Sequence, residues 1–142
     1  MNHELNKWCS LTKRQDELYH QCAKRAGLPD AQFWVLYALC EADAPLCQNT
    51  FCENWCYSKQ TVSTAVAGLE RAGLVKLTFA EGSKKQKELN LTQTGEEFCD
   101  LHIRNVMQAE CAVLNRFSQE ERNQFFWFLE KLLTGIDQEL TR

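Results

Sequence analysis

The hydrophobic pattern of this chain leaves the helical period for one short stretch, and that stretch limits its possible folds most. Over residues 5–55 apolar residues recur mostly at steps of three and four, which is the spacing of one helix face. After Gly73 they alternate over residues 75–79 and again over 89–91, which indicates a two-stranded hairpin. Helical spacing returns from residue 94 onward. The pattern predicts a mainly α-helical fold with a small β-hairpin.

Four helices are predicted before the hairpin. The first covers about residues 5–26, the second follows a cap at Asp30, and the third covers about 48–55. The fourth begins at Ser58, whose hydroxyl suits an N-cap, and ends at Gly73, which can take the left-handed conformation. The third and fourth helices are separated by only a tight turn, which is typical of a helix-turn-helix.

Two helices are predicted after the hairpin, each opened by a capping box in which a hydroxyl residue precedes Glu by three positions. The two boxes are Thr94 with Glu97 and Ser118 with Glu121. The last helix has more apolar surface than one side of a small monomer can bury, so we interpret it as a subunit interface. Its apolar residues are Phe125, Phe126, Trp127, Phe128, Leu129, Leu132, Leu133, Ile136 and Leu140.

Composition limits the class of protein. The chain has 142 residues, 44% of them hydrophobic, which is typical of one compact domain. It has no apolar run of roughly 20 residues that would span a membrane and no secretory signal at its start, so we expect a cytoplasmic protein. Without a signal, its eight cysteines are expected to be reduced thiols rather than a disulfide framework.

Charge is unevenly distributed along the chain. The net charge is −3, which alone argues against a nucleic-acid partner. However, residues 57–91 contain 6 basic and 3 acidic residues, whereas the segments on either side are net acidic. The basic segment coincides with the fourth helix and the hairpin.

A helix-turn-helix followed by a basic hairpin is a winged helix-turn-helix, which binds double-stranded DNA. The start of the fourth helix would enter the major groove, where short polar side chains reach base edges, and the hairpin would contact the minor groove or the backbone. The candidate DNA-binding residues are Ser58, Lys59, Gln60, Thr61, Ser63, Thr64, Lys84, Lys85 and Lys87. The simpler alternative is a solvated helix followed by a solubilising turn.

Four segments of the sequence resemble the MarR family of bacterial transcription regulators. They are CQNTFCENW at 47–55, SKQTVS at 58–63, LERAGLV at 69–75 and LNLTQTG at 89–95. One departure lies in the hairpin, where the family often has Asp-x-Arg and this chain has Ser83, Lys84 and Lys85. Lysine lacks the planar fork of arginine that suits a narrow minor groove, so the departure bears on how deeply the wing inserts.

The resemblance implies a single domain over residues 1–142. Dimerisation helices would cover about 1–27 and 94–142, and the winged helix-turn-helix about 30–93. It also implies a homodimer that binds a pseudo-palindromic operator, most simply as a repressor, and that is released by a small ligand, a metal or an oxidant. Half-sites would be about one helical turn apart.

The cysteines allow two interpretations. Some members of the resembled family sense peroxides through a cysteine in the first helix, where Cys9 and Cys22 lie. The other interpretation, which we prefer for most of them, is that they are small hydrophobic residues, as for Cys40 and Cys52. Because no paired metal-ligand spacing is present, we expect no metal site and no cofactor.

Two other classes of function were weighed. The chain has no GxGxxG, P-loop, HExxH or GxSxG motif, so we expect no enzyme activity. A helical protein-interaction module that uses the aromatic last helix remains the alternative to a DNA-binding regulator. Some aromatic side chains could also line a cavity for an effector molecule, although packing in the core and at the subunit interface explains most of them.

Overall fold

The structure, a computed structural model, describes residues 2–142 and is mainly α-helical. The helices are α1 (His3–Arg25), α2 (Asp30–Ala42), α3 (Gln48–Trp55), α4 (Lys59–Arg71), α5 (Gln93–His102), α6 (Arg104–Leu114) and α7 (Gln119–Leu140). The strands are β1 (Leu46–Cys47), β2 (Val75–Phe79) and β3 (Lys87–Leu91). The predicted fold class, mainly α with a small hairpin wing, is confirmed.

The small sheet contains one strand that the pattern did not predict. The hairpin strands β2 and β3 pair antiparallel, and β1 joins the other side of β3, which gives the order β1-β3-β2. In that pairing Leu46 lies opposite Leu89. A strand of two residues is too short to show alternation, which is why the hydrophobic period did not reveal it.

The start of α2 differs from the prediction. Asp30 is the first helical residue rather than the cap; the cap position is Pro29, which makes no side-chain capping hydrogen bond. The Asp30 carboxylate lies instead 2.9 Å from Nδ1 of His20 on α1. A carboxylate in the first turn is still favourable there because it faces the positive end of the helix dipole.

The start of α5 also differs from the prediction. The cap is Thr92 and not Thr94: the Thr92 hydroxyl accepts a hydrogen bond from the backbone N–H of Gly95 at 3.0 Å. The same hydroxyl donates to the carbonyl oxygen of Gly73, so a contact with the end of α4 selects the cap. The sequence spacing alone favoured Thr94, because only that residue has Glu97 three positions later.

Three helices, not two, follow the hairpin. The helical segment after Thr92 is interrupted at Ile103, which caps α5 with φ −111° and ψ −56° before α6 begins. The second predicted capping box is confirmed, since the Ser118 hydroxyl accepts from the N–H of Glu121 at 3.1 Å. The Glu121 carboxylate in turn accepts from the N–H of Ser118 at 3.2 Å.

The chain forms two compact units, the N-terminal unit up to Val106 and the C-terminal unit from Met107 to Arg142. The N-terminal unit contains the core. Its largest fully buried side chains come from α2, α4, β2 and α5 and from the break after α5: Phe33, Leu36, Leu69, Ile103, Val62, Val66, Val75 and Cys99. Burial of such side chains is the main stabilising contribution to this unit.

The C-terminal unit has little core of its own. No residue of α6 or α7 is buried, and large apolar side chains of α7 are exposed, among them Phe128 at 64%. No helix within residues 2–142 has the length and apolar character needed to cross a membrane.

Candidate nucleic-acid interface

The turn between α3 and α4 is only three residues long. Cys56, directly after α3, has the left-handed conformation with φ 56° and ψ 28°. A non-glycine residue in this conformation is uncommon, and it reverses the chain within a short distance. Tyr57 and Ser58 follow, and α4 begins at Lys59. This is the geometry of a helix-turn-helix.

Ser58 and Thr61 together shape the start of α4. The Ser58 hydroxyl accepts from the N–H of Thr61 at 3.1 Å, and the two hydroxyl oxygens are 2.8 Å apart. The predicted N-cap is thus confirmed. Because both hydroxyls are engaged in the cap, these two candidate residues also have a structural role at the start of the helix.

The remaining candidates on α4 lie on its open side. Val62, Ala65, Val66 and Leu69 are buried against the core, whereas the polar side chains of the first two turns face solvent. These exposed candidates are Lys59, Gln60, Ser63 and Thr64. The helix has no acidic residue before Glu70, so a phosphate or a base edge approaching its start would meet no negative side chain of α4 itself.

Gly68 of α4 faces Gln32 of α2. A Cβ placed on Gly68 would overlap only the amide end of the Gln32 side chain, which is flexible and can move aside. Neither residue was predicted from the sequence, and the contact does not require glycine at this position.

The wing has an ordered tip. Gly82 takes φ 74°, and the Ser83 hydroxyl accepts hydrogen bonds from the backbone N–H groups of Lys85 at 3.2 Å and Gln86 at 3.0 Å. The Lys84 and Lys85 side chains are exposed at this tip. Ser83, which stands where the family often has an acidic residue, thus organises the turn through its hydroxyl.

The third wing lysine lies in a different setting. Lys87 is the first residue of β3 and pairs across the hairpin with Phe79, and its Nζ lies 5.8 Å from the centre of the Phe79 ring. Nearby, the Gln86 side-chain amide donates to Sγ of Cys47 on β1 at 3.0 Å. The tip end of the wing is therefore hydrogen-bonded to β1, the short strand that the sequence pattern did not predict.

The predicted redox residues lie on α1. Cys9 is exposed and Cys22 half-buried, and all eight cysteines of the chain are free thiols. Away from α1, a side-chain hydrogen bond with Cys99 is the main cause that lowers the pKa of the Cys40 thiol from its ordinary value. No cluster of three His, Cys, Asp or Glu side chains within residues 2–142 could hold a metal ion.

Seven aromatic side chains of the N-terminal unit form one continuous cluster: Tyr19, Phe33, Trp34, Tyr37, Phe51, Trp55 and Tyr57. Trp34 lies at its centre, with ring centroids 4.9 Å from Tyr19, 5.2 Å from Tyr37 and 5.3 Å from Trp55. Burial, with a contribution from the nearby Asp30 carboxylate, raises the pKa of Tyr57 above its ordinary value. These contacts support packing as the role of the cluster.

Comparison with known proteins shows which family this helix-turn-helix and wing resemble. Residues 26–86 match the sequence model of the MarR family. No curated protein sequence matches the chain significantly. The structural match to NMB1585, a MarR family regulator from Neisseria meningitidis, has a TM-score of 0.80 at 22% identity and covers 99% of this chain and 98% of that one.

Two further similar structures contain DNA. A putative MarR family transcriptional regulator from Listeria monocytogenes, complexed with 26mer DNA, matches with a TM-score of 0.73 at 24% identity over 98% of this chain and 92% of that one. The S. aureus MepR–DNA complex matches with a TM-score of 0.70 at 19% identity over 96% and 98%.

The solved structures named here are described as MarR family regulators. That this chain has no enzyme activity stays a prediction. The resemblance that the sequence indicated is confirmed: residues 26–86 match the MarR family, and the chain has the winged-helix fold of MarR family regulators.

Proposed function

We propose that this protein is a transcription regulator that binds a specific double-stranded DNA operator. The observation that carries the proposal is the exposed, acid-free start of α4, with Lys59, Gln60, Ser63 and Thr64 open to solvent. Side chains of these types bind base edges and phosphates in the major groove, and the N-terminus of a helix favours an anion. Two relatives of the same fold are solved with DNA.

The wing supplies the second contact. Lys84 and Lys85 project from a tip that the Ser83 hydroxyl orders, so they can contact phosphates of the adjacent backbone or minor groove. Lys87 lies beside Phe79 in the strand pair next to the tip and adds positive charge there. Because lysine contacts act mostly through release of counterions, this part of the affinity depends on salt and little on sequence.

The protein acts as a homodimer in this proposal. Apolar side chains of α7 that a folded monomer would leave in water need a partner, and Phe125, Phe126 and Trp127 are each more than half exposed, at 57%, 52% and 52%. Exposed Leu11 and Leu18 on α1 add further apolar surface. A two-fold dimer presents two recognition helices, which suit a pseudo-palindromic operator with half-sites about 10 base pairs apart.

The regulator is most simply a cytoplasmic repressor that occupies its operator until a small ligand or an oxidant releases it. In the C-terminal unit an apolar cleft of about 350 Å³ lies between Leu114, Phe117 and Phe125, with Arg122 and Glu121 at its side. It is part of the same exposed apolar surface and fits a partner helix.

Fluorescence anisotropy tests the proposal. Labelled DNA from the region upstream of the gene is titrated with reduced protein at several salt concentrations, with scrambled DNA as competitor. We expect specific binding that weakens steeply with salt. Binding no tighter than to scrambled DNA, across tiled fragments of the neighbouring promoters, would favour the protein-interaction module that uses α7.

A further inference from the structure

One large hydrophobic side chain of the winged helix-turn-helix is left in water. Within residues 30–93, Phe79 is the one large hydrophobic residue that is exposed, at 58%, and it is the last residue of β2. A single exposed hydrophobic residue is common and does not by itself indicate a function. Phe79 differs from such residues because of where the strand register and the wing lysines place it.

The strand register places Phe79 on the face of the sheet that packs on the helix-turn-helix. Val75, Leu77 and Phe79 alternate along β2 and so share one face, and Leu89 lies opposite Leu77 on β3. Leu89 is buried and lines a small core cavity together with side chains of α3 and α4. Exposure rises along this face, from buried Val75 through half-buried Leu77 to Phe79. Phe79 therefore continues the core face of the sheet outward, beyond the core.

Positive charge lies around the Phe79 ring. Lys87 is opposite Phe79 in the strand register, and the distance from its Nζ to the ring centre is 5.8 Å, within the range of a cation–π contact. The two lysines of the wing tip are exposed as well. Residues 79–87 contain three lysines and one acidic residue, Glu81. The ring is therefore an apolar surface among cationic side chains.

A DNA strand has both kinds of group that such a surface can contact. Phosphates attract the lysines, and the C–H edges of the deoxyribose rings, which form the walls of the minor groove, pack on apolar side chains. Within residues 75–91 the wing has no arginine, so it lacks the planar cation that suits a narrow minor groove. A second copy of the wing would not suit this surface, because lysines would meet lysines.

We propose that Phe79 packs on a deoxyribose ring at the edge of the minor groove while Lys87 contacts the neighbouring phosphate. The inference rests on the proposed function and adds to its wing an apolar contact, which releases no counterions. Burial of the ring then contributes affinity that salt does not weaken. The contact also depends on the width of the groove, which varies with base sequence, so Phe79 contributes to the choice of operator.

Binding at several salt concentrations tests the inference. Specific binding of the wild-type protein to its operator is measured first, by fluorescence anisotropy. Phe79→Ala should then bind the same operator about tenfold more weakly, because binding no longer removes a phenylalanine side chain from water. Its slope of log affinity against log salt should change by much less than the roughly 0.9 that one phosphate contact contributes. Lys87→Gln, in contrast, should lower the slope by about 0.9.

Two variants are matched controls for Phe79→Ala. Phe79→Leu keeps an apolar side chain and should retain most of the affinity that Phe79→Ala loses. Thr78→Val changes the neighbouring exposed residue, which lies on the opposite face of β2, and should bind like the wild type. Urea denaturation and sedimentation velocity should show wild-type stability and assembly for Phe79→Ala, because the side chain that it removes is exposed.

Photocrosslinking tests the contact directly. The variant Phe79→p-benzoylphenylalanine carries a group that, on irradiation, bonds to C–H groups in contact with it. We expect a covalent adduct with operator DNA on a denaturing gel. The same substitution at Leu101, which is 69% exposed on α5 outside the wing, is the control and should give no adduct.

The outcomes separate this inference from the proposed function. If the wild type binds its operator and Phe79→Ala binds equally well, or loses affinity only through a lower salt slope, the apolar contact is refuted and the proposed function stands. A Phe79→Ala variant that changes the dimer instead of DNA binding would assign the ring to a protein contact and also refute the inference. A wild-type protein that binds no operator would refute the proposed function itself.

Discussion

The hydroxyl of Thr92 links the start of α5 to the end of α4: it donates a hydrogen bond to the carbonyl oxygen of Gly73 and accepts one from the N–H of Gly95. In addition, the N–H of Thr92 donates to the carbonyl oxygen of Leu74 at 3.1 Å. One residue thus caps a helix and fixes the connection between the recognition helix and the wing.

Thr92→Ala should therefore destabilise the protein. The variant loses an N-cap and leaves the Gly73 carbonyl without this donor, so we expect the free energy of unfolding to fall by about 1–2 kcal/mol. Urea denaturation measures the change. Thr94→Ala is the control, because Thr94 is exposed in the first turn of the same helix and is not its cap; equal losses in both variants would contradict the assigned cap.

Gly95→Ala should be more harmful than most substitutions of a helical glycine. A Cβ at Gly95 would overlap the carbonyl oxygen of Leu74, which is backbone and cannot move aside easily. We expect a loss of about 1–3 kcal/mol from overpacking, measured by urea denaturation at fixed protein concentration. Gly135→Ala in α7 meets no atom within 4 Å and should instead gain up to about 1 kcal/mol from helix propensity. A harmless Gly95→Ala would show that α5 does not lie against Leu74.

Gln60→Ala should change which operator sequence is preferred. Gln60 is exposed near the start of α4, and a glutamine that reads one base pair contributes about 1–3 kcal/mol of discrimination at that position. The measurement is competition binding against an operator library with single base changes. Uniform weakening on every sequence would mean that Gln60 contacts phosphate only, and Ser63→Ala is tested in the same way.

The double variant Lys84→Gln, Lys85→Gln should weaken binding to all DNA sequences alike. Each lost phosphate contact lowers the slope of log affinity against log salt by about 1, so we expect a decrease of about 2 for the pair. Lys13→Gln, an exposed lysine on α1, removes the same kind of charge and should leave the slope unchanged. An unchanged slope in the double variant would remove the wing tip from the interface.

The apolar face of α7 should hold two copies of the chain together. We expect a dimer at micromolar concentration in sedimentation velocity, and a shift toward monomer for the double variant Phe126→Ser, Leu133→Ser, whose wild-type side chains are 52% and 53% exposed. Gln124→Ser, an exposed position on the opposite side of the same helix, is the control and should leave the dimer intact. A wild-type protein that is monomeric at this concentration would contradict the proposed assembly.

Local features followed from the sequence because neighbouring residues determine them. The helical spacing of apolar residues marked α1 to α4, the Ser58 hydroxyl marked the start of α4, and the Ser118–Glu121 box marked the start of α7. The alternating pattern after Gly73 located the hairpin. In each case the signal lies within a few residues, so no distant contact was needed to interpret it.

Other features depended on contacts between distant residues. The carbonyl of Gly73 selects Thr92 over Thr94 as the cap, β3 makes a strand of the two residues Leu46 and Cys47, and His20 contacts the Asp30 carboxylate. None of these partners lies close enough in the sequence to leave a local pattern.

The cysteines also have some properties that the sequence predicts and others that depend on contacts between distant residues. Their number and their reduced state could be expected from the sequence, and a cysteine of the first helix was the natural redox candidate by resemblance. Only the tertiary structure lets Cys99, which lies 59 residues further along the chain, act as the main cause that lowers the pKa of the Cys40 thiol. The reactivity of a thiol depends on charges and donors within a few ångströms, and the tertiary structure alone determines which groups those are.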